Sequence, residues 1–387
     1  MKKIMTIVVL VSLLSACGGL SFLKNRKARA SSAKPVALNA IEAAVSVKRI
    51  WERDTGSGSA KVFLRLVPAI LNDTVYVADS RGQVSAFNAQ TGKTVWSTHT
   101  KLPVTGATGV GEGLVLVGTR DGEVIALDAA NGKISWRSQL SSEILSPPAA
   151  SQGIVVARTV DGKVFGLAVE DGHSIWIYER GVPSLSLRGT AAPYIHGSKV
   201  INGFASGKLA ANDLQSGVVL WESSVGFSHG RNELERLIDV DAQPVAFGDV
   251  LYTAAYQGKV VAMELKTGRI LWEQKASTFN DIAVDDSRVF VSDEKTGVIA
   301  LDRAKGNPIW VQKSLKGRGL TAPTRVGEYL VVLDELGQLH VMAVSDGRLV
   351  GRLKVGNTLT ATRPIASGSR MFLLTPKGDL TVFQIGT

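Results

Sequence analysis

From Arg81 to Trp96 the chain reads RGQVSAFNAQTGKTVW. Small and apolar residues run through Val84 to Phe87, a turn carries Gly92, and a second short run ends on Trp96. Two such runs around a Gly-containing turn predict a hairpin of two strands. The pattern returns as DGEVIALDAANGKISW (Asp121 to Trp136), DGKVFGLAVEDGHSIW (Asp161 to Trp176), SGKLAANDLQSGVVLW (Ser206 to Trp221) and QGKVVAMELKTGRILW (Gln257 to Trp272). A sixth copy, TGVIALDRAKGNPIW (Thr296 to Trp310), is one residue shorter. A seventh ends on Gly351 where Trp stands elsewhere, and an eighth, KGDLTVF (Lys377 to Phe383), meets the end of the chain before any Trp position.

Another apolar strand precedes each copy, from VYVAD at Val75 to MFLLT at Met371. In six copies a Pro (Pro68, Pro148, Pro193, Pro244, Pro323, Pro364) stands seven residues before the equivalent point of that strand, leaving room for one more short strand. Eight units of about 40 residues with four strands each predict an all-β fold, an eight-bladed β-propeller spanning residues 45–387. The last copy lacks its Trp strand, whereas the domain opens on an unpaired one, VKRIWERDTG around Trp51. Trp51 is therefore expected to supply the outer strand of the last blade, so that the two ends seal the ring and no sheet edge is left open between them. All seven Trp then fall at one repeat position, where each ring buries against the neighbouring blade.

Charge and the first residues add a location. Lys2 and Lys3 precede an apolar run, Ile4 to Leu14, which is too short to span a bilayer, and then LSAC. This is the layout of a bacterial lipoprotein signal: residues 1–16 form a signal peptide, and Cys17 receives the lipid. Cys17 is the only Cys, which excludes a disulfide framework, a CxxC redox pair and a thiolate zinc site. Loss of Lys2 and Lys3 lowers the formal charge from +10 to +8. Residues 17–44 carry Lys24, Arg26, Lys27, Arg29 and Lys34 among Ser, Ala and Gly, which predicts a basic flexible tether at an anionic membrane surface. Nucleic acid is the weaker expectation for an exported chain. Gly18 after the Cys points to the outer membrane, by analogy with enterobacterial sorting.

Catalytic chemistry has no foothold in the motifs. The five His are scattered without metal spacing, and no GxSxG or phosphate loop occurs. No catalytic, cofactor-binding or metal-ligating residue is expected. Function is expected instead where the repeat loses its rhythm. The interval from Trp to the next repeat Gly is 26 residues from Trp96 to Gly122, 31 from Trp176 to Gly207 and 37 from Trp221 to Gly258. The insertions are RGVPSLSLRGTAAP (Arg180 to Pro193) and GFSHGRNELERLIDVDAQP (Gly226 to Pro244). Leu185 and Leu187 are two apart, as are Asp239 and Asp241, so in extended backbone each pair shares a face. Arg188 and Asp239 both stand five residues before the Pro of consecutive blades. The two loops are thus expected to form one patch of two Leu, a planar Arg donor and two carboxylates, which suits a protein partner. The alternatives are that Arg188 and Asp239 only pair with each other, or that the two Asp help to hold calcium.

The repeat ALDAANGKISW resembles the PQQ-type, or quinoprotein, propeller repeat, from Trp51 to Thr387. Quinoprotein dehydrogenases share it, but they are longer and use an adjacent-Cys disulfide that a single Cys cannot make. The outer-membrane β-barrel-assembly lipoproteins of the BamB family share it too. SLSLRG and ERLIDVD are similar to the segments that in this family contact the POTRA domains of BamA. That resemblance implies a non-enzymatic, lipid-anchored scaffold on the periplasmic face of the outer membrane. It implies BamA and other subunits of the assembly complex as partners, with unfolded outer-membrane proteins as substrates. It makes Leu185, Leu187, Arg188, Asp239 and Asp241 the contact set. A quinoprotein-like dehydrogenase or redox accessory protein is the competing expectation.

Overall fold

The computed structural model describes residues 35–386, apart from 60–63, 65, 182–190, 206, 227–239, 257, 279 and 357–361. Eight four-stranded antiparallel sheets form the blades. Blade one runs outward from Ala69–Leu71 through Thr74–Ala78 and Gln83–Asn88 to Thr94–His99. The next six repeat that order, and their outer strands are Ile134–Gln139, Ser174–Glu179, Val219–Ser224, Ile270–Lys275, Pro308–Gln312 and Leu349–Lys354. The middle strands of a blade are covered on both faces by the neighbouring blades, so Val75 to Ala78 and Val84 to Phe87 are buried without alternation. The outer strand faces water and alternates, with Trp96 the only fully buried residue of its strand.

Ring closure follows the sequence expectation. In blade eight the order from the hub is Ile365–Ser367, Arg370–Leu374, Asp379–Gly386 and then Ser46–Asp54, so the first strand of the chain completes the last sheet. The pairing runs from Ser46 opposite Gly386 to Asp54 opposite Asp379.

The tryptophans explain both the repeat and its exception. Each indole reaches over the turn between the third and fourth strands of the next blade. Trp96 Nε1 donates to Ala129 O at 2.9 Å, Trp136 to Val169 O at 2.8 Å and Trp310 to Val344 O at 3.0 Å. The turn Gly beneath the indole is needed twice over. At Gly132 the backbone is left-handed (φ 72°), and an added Cβ would stand 2.4 Å from Trp96 Cε3. The residue across the strand pair is also small: Ala86 opposite Trp96, Gly166 opposite Trp176, Ala300 opposite Trp310.

Blade seven has no such turn to cover, because in blade eight the third and fourth strands are the two ends of the chain. Gly351 takes the Trp position there, Val341 stands opposite, and the carbonyl of Val45 lies 3.2 Å from where a Gly351 Cβ would be. The missing Trp is the local consequence of closing the ring with the termini.

The segment ahead of the closing strand also lies against blade seven and the connection that leads into it. Val36 N donates to Lys316 O (3.2 Å), Arg318 Nη1 to Val36 O (2.9 Å) and Arg352 Nη1 to Asn39 O (3.0 Å). Ala44 N and Val45 N both donate to Val350 O, at 2.9 and 3.1 Å. Arg318 is held by Asp334 Oδ2 at 2.7 Å, and the same oxygen lies 3.0 Å from His340 Nε2.

Candidate partner-docking face

The two long insertions leave the ring at consecutive boundaries, between blades three and four and between blades four and five. Each follows an outer strand and returns to the inner strand of the next blade, so both belong to the face that carries the blade-to-blade connections. Their described flanks are tightly built. At the start of the first insertion, Arg180 Nη1 donates to Glu222 Oε1 at 2.6 Å and Tyr178 Oη donates to the same oxygen at 2.8 Å. Arg180 also lies over the Phe204 ring, 5.7 Å from its centroid, with Arg158 at 5.1 Å. Glu222 lies in the outer strand that leads to the second insertion, so one carboxylate joins the start of the first loop to the strand ahead of the second.

The electrostatics agree with that geometry. The hydrogen bond from Arg180, then that from Tyr178, hold the Glu222 carboxyl below the usual glutamate range. Burial, and then the bond to Glu222, push the Tyr178 phenol up. Arg180 is raised in turn by its bond to Glu222.

The second insertion returns through a buried floor. Val240, Asp241 and Ala242 are 1%, 5% and 0% exposed. Val240 N donates to Phe204 O at 3.4 Å, and a Cβ on Gly203 would meet Val240 O at 2.5 Å, so Gly203 lets the returning strand lie flat on blade four. Gln243 N then donates to Asp281 Oδ1 at 2.8 Å, and the other Asp281 oxygen lies 3.2 Å from Arg363 Nε. Asp281 precedes blade six and Arg363 precedes blade eight, so this pair bridges the mouth of the hub. Beside it is a cavity of about 390 Å³ lined by Pro68, Thr108, Pro148, Pro193, Gln243 and other hub residues. Among the described residues no group of three or more His, Cys, Asp or Glu could hold a metal ion.

The predicted contact residues divide accordingly. Leu185, Leu187 and Arg188 fall in 182–190 and Asp239 in 227–239, outside the described residues. Cys17 likewise precedes them. Asp241 is described, and its burial and engagement in the loop floor differ from the exposed position that alternation with Asp239 suggested.

The model of the family described as outer membrane protein assembly factor BamB matches residues 37–106 and 80–312. The chain belongs to the BamB family. A BamB of Pseudomonas aeruginosa is 46% identical over 91% of this chain and 92% of its own length, and one of Kangiella koreensis is 43% identical over 99% and 96%. The crystal structure of BamB from Moraxella catarrhalis superposes with a TM-score of 0.79 at 28% identity, covering 88% of this chain and all of that one. A quinohemoprotein alcohol dehydrogenase from Comamonas testosteroni superposes with a TM-score of 0.66 at 13% identity over 88% of this chain and 76% of its own, a likeness of fold alone.

Within this BamB-family ring, sequence reasoning missed the group of Tyr178, Arg180, Glu222 and Phe204. No local pattern in the sequence marks it: Arg180 follows one outer strand, Glu222 lies within the next, and only the stacking of the blades brings them together.

Proposed function

We propose that this chain is a lipid-anchored, non-enzymatic scaffold that assists the assembly of β-barrel proteins into the outer membrane. On this reading residues 1–16 are removed, Cys17 carries the acyl chains, and residues 17–44 link them to the ring on the periplasmic side. Leu185, Leu187, Arg188, Asp239 and Asp241 dock the POTRA domains of BamA, and unfolded outer-membrane proteins are oriented nearby. The observation that carries the reading is the shared base of the two insertions, where Glu222 joins Arg180 and Tyr178 across the boundary of blades three and four. A rigid base under two adjacent loops lowers the entropic cost of presenting an interface. Asp241, 5% exposed, supports the docking set from the buried return of the second loop.

The relatives bear the name of outer membrane protein assembly factor, which fits a binding role. The test is a pull-down of the BamA POTRA region with the mature chain, comparing wild type with Arg188→Ala and Asp239→Ala. A loss of capture in variants that melt like wild type supports the loops as the docking site. Unchanged capture by both removes them from it. Incubation with PQQ and calcium addresses catalysis: dye-linked alcohol oxidation would overturn the scaffold reading.

A further inference from the structure

We infer that the rim of blades six to eight is a second interaction surface, built for an anionic lipid surface. This rests on the reading of Cys17 as the membrane anchor. Three observations converge on that rim. The chain coming from Cys17 does not meet the ring at an arbitrary point: from Val36 to Val45 it is clamped by Lys316 and Arg318 of the connection from blade six to blade seven and by Val350 and Arg352 of blade seven. Whatever tethers residue 17 therefore draws this rim toward the bilayer first.

Charge is segregated to the same place. The outer strand of blade eight carries Lys48, Arg49 and Arg53 against Glu52 and Asp54, and that of blade seven carries Arg352 and Lys354 with no acid. The short helical turn after blade six adds Lys313 and Lys316. Lys48, Lys313, Lys316 and Lys354 are exposed. On the opposite rim the outer strands of blades three and four carry Glu179 and Glu222, the latter paired with the adjoining Arg180, and they expose Ile177 (57%) and Leu220 (45%).

Ring position supplies the third argument. In an eight-membered ring the boundary of blades seven and eight lies half a turn from that of blades three and four. With the basic rim against the lipid headgroups, the two long loops stand at the far side, clear of the bilayer and open to a periplasmic domain. Each basic residue near an anionic surface contributes roughly a fivefold gain in partition.

The test uses the chain from residue 17 onward with Cys17→Ser, so that no acyl chain contributes, sedimented with vesicles of neutral phosphatidylcholine or of phosphatidylcholine with phosphatidylglycerol. The expected result is salt-sensitive binding to the anionic vesicles, reduced at least tenfold by the triple change Lys48→Glu, Lys313→Glu, Lys354→Glu. The matched change Lys199→Glu, Lys266→Glu, Lys275→Glu on other blades should reduce it less than threefold. Equal losses in both triples, or no preference of the wild type for anionic vesicles, overturn the proposal and leave the rim charges as protection of exposed sheet edges. Capture of the POTRA region by the rim variant separates the two readings, because it depends on the loops and not on the rim.

Discussion

Restoring the repeat in blade seven should weaken the protein. Gly351→Trp gives the seventh copy the residue that the six preceding copies carry, and a consensus argument would expect a gain. The structure predicts the opposite, because the turn that a Trp covers in the next blade does not exist there. A Cβ at residue 351 would stand 3.2 Å from Val45 O and 3.3 Å from Val341 Cβ, before any indole atom is added. The indole could be forced in beside Val341, at an overpacking cost of about 1–3 kcal/mol. Alternatively it could evict Val45, a residue 8% exposed, together with the hydrogen bonds of Ala44 N and Val45 N to Val350 O. Losing one Val burial costs about 1.5–3 kcal/mol and each bond about 0.5–1.5, so forcing is the cheaper route. The net destabilisation is then about 1–3 kcal/mol, which lowers the melting temperature by roughly 1–4 °C in a domain of this size. Melting at a fixed scan rate reads this, and hydrogen exchange at residues 44 and 45 distinguishes forcing from eviction. A Gly351→Trp chain that melts at or above the wild-type temperature, with those amides as protected as before, refutes the account of ring closure.

Two pH effects follow from the paired carboxylates. The depressed Glu222 carboxyl adds stability that is present above its unfolded value near 4.5 and is lost as pH falls through that value toward the lower folded one. Its side chain is more than a third exposed, so Glu222→Gln should flatten the acid limb of a melting-temperature profile only slightly, while raising hydrogen exchange at Arg180 and Gly181; no change at those amides would show that the triad does not hold the loop. His340 is fully buried, and burial holds its imidazole below the usual value of 6.5 despite the bond to Asp334. The unfolded chain therefore takes up a proton first, so this stability is complete above about pH 6.5 and erodes as pH falls below it. In His340→Gln that slope between neutral and mildly acidic pH should disappear; if it persists undiminished, another group carries it.

What could be read from sequence alone follows the physics of the repeat. Middle strands covered on both faces must be apolar throughout, and the indole must meet a Gly turn, so the same letters recur at Trp96, Trp136 and Trp176. Closure by Trp51 was legible because the last copy lacked a strand and the domain opened on a spare one. The reason for Gly351 was not, since it depends on what occupies the neighbouring blade, and that is set by the location of the chain ends. The burial of Asp241 was hidden for a related reason. Alternation fixes which side a residue faces only when a partner strand sets the register, and the returning segment is instead pressed against Gly203 of the previous blade. The Tyr178–Glu222 contact joins residues 44 apart through the stacking of two blades, and no local pattern announces it.

The strand that seals the ring is also the first strand that a pull on the preceding chain would reach. A pull on the chain ahead of Ser46 runs along the closing strand, whose pairs with Gly386 to Asp379 lie side by side along its length. Such a load shears the pairs together, whereas a pull across the strand would open them one at a time. Ahead of that strand, the bonds of Val36, Asn39, Ala44 and Val45 to blade seven and the connection that leads into it must yield before the seal is reached. Arg318, fixed by Asp334, holds the segment around Val36 through its bond to Val36 O. Removing it with Arg318→Ala should release the segment around Val36 to exchange without altering protection in Ser46–Asp54, because the strap and the seal are held by separate bonds. Loss of protection in both would mean that the ring closes only with the strap in place.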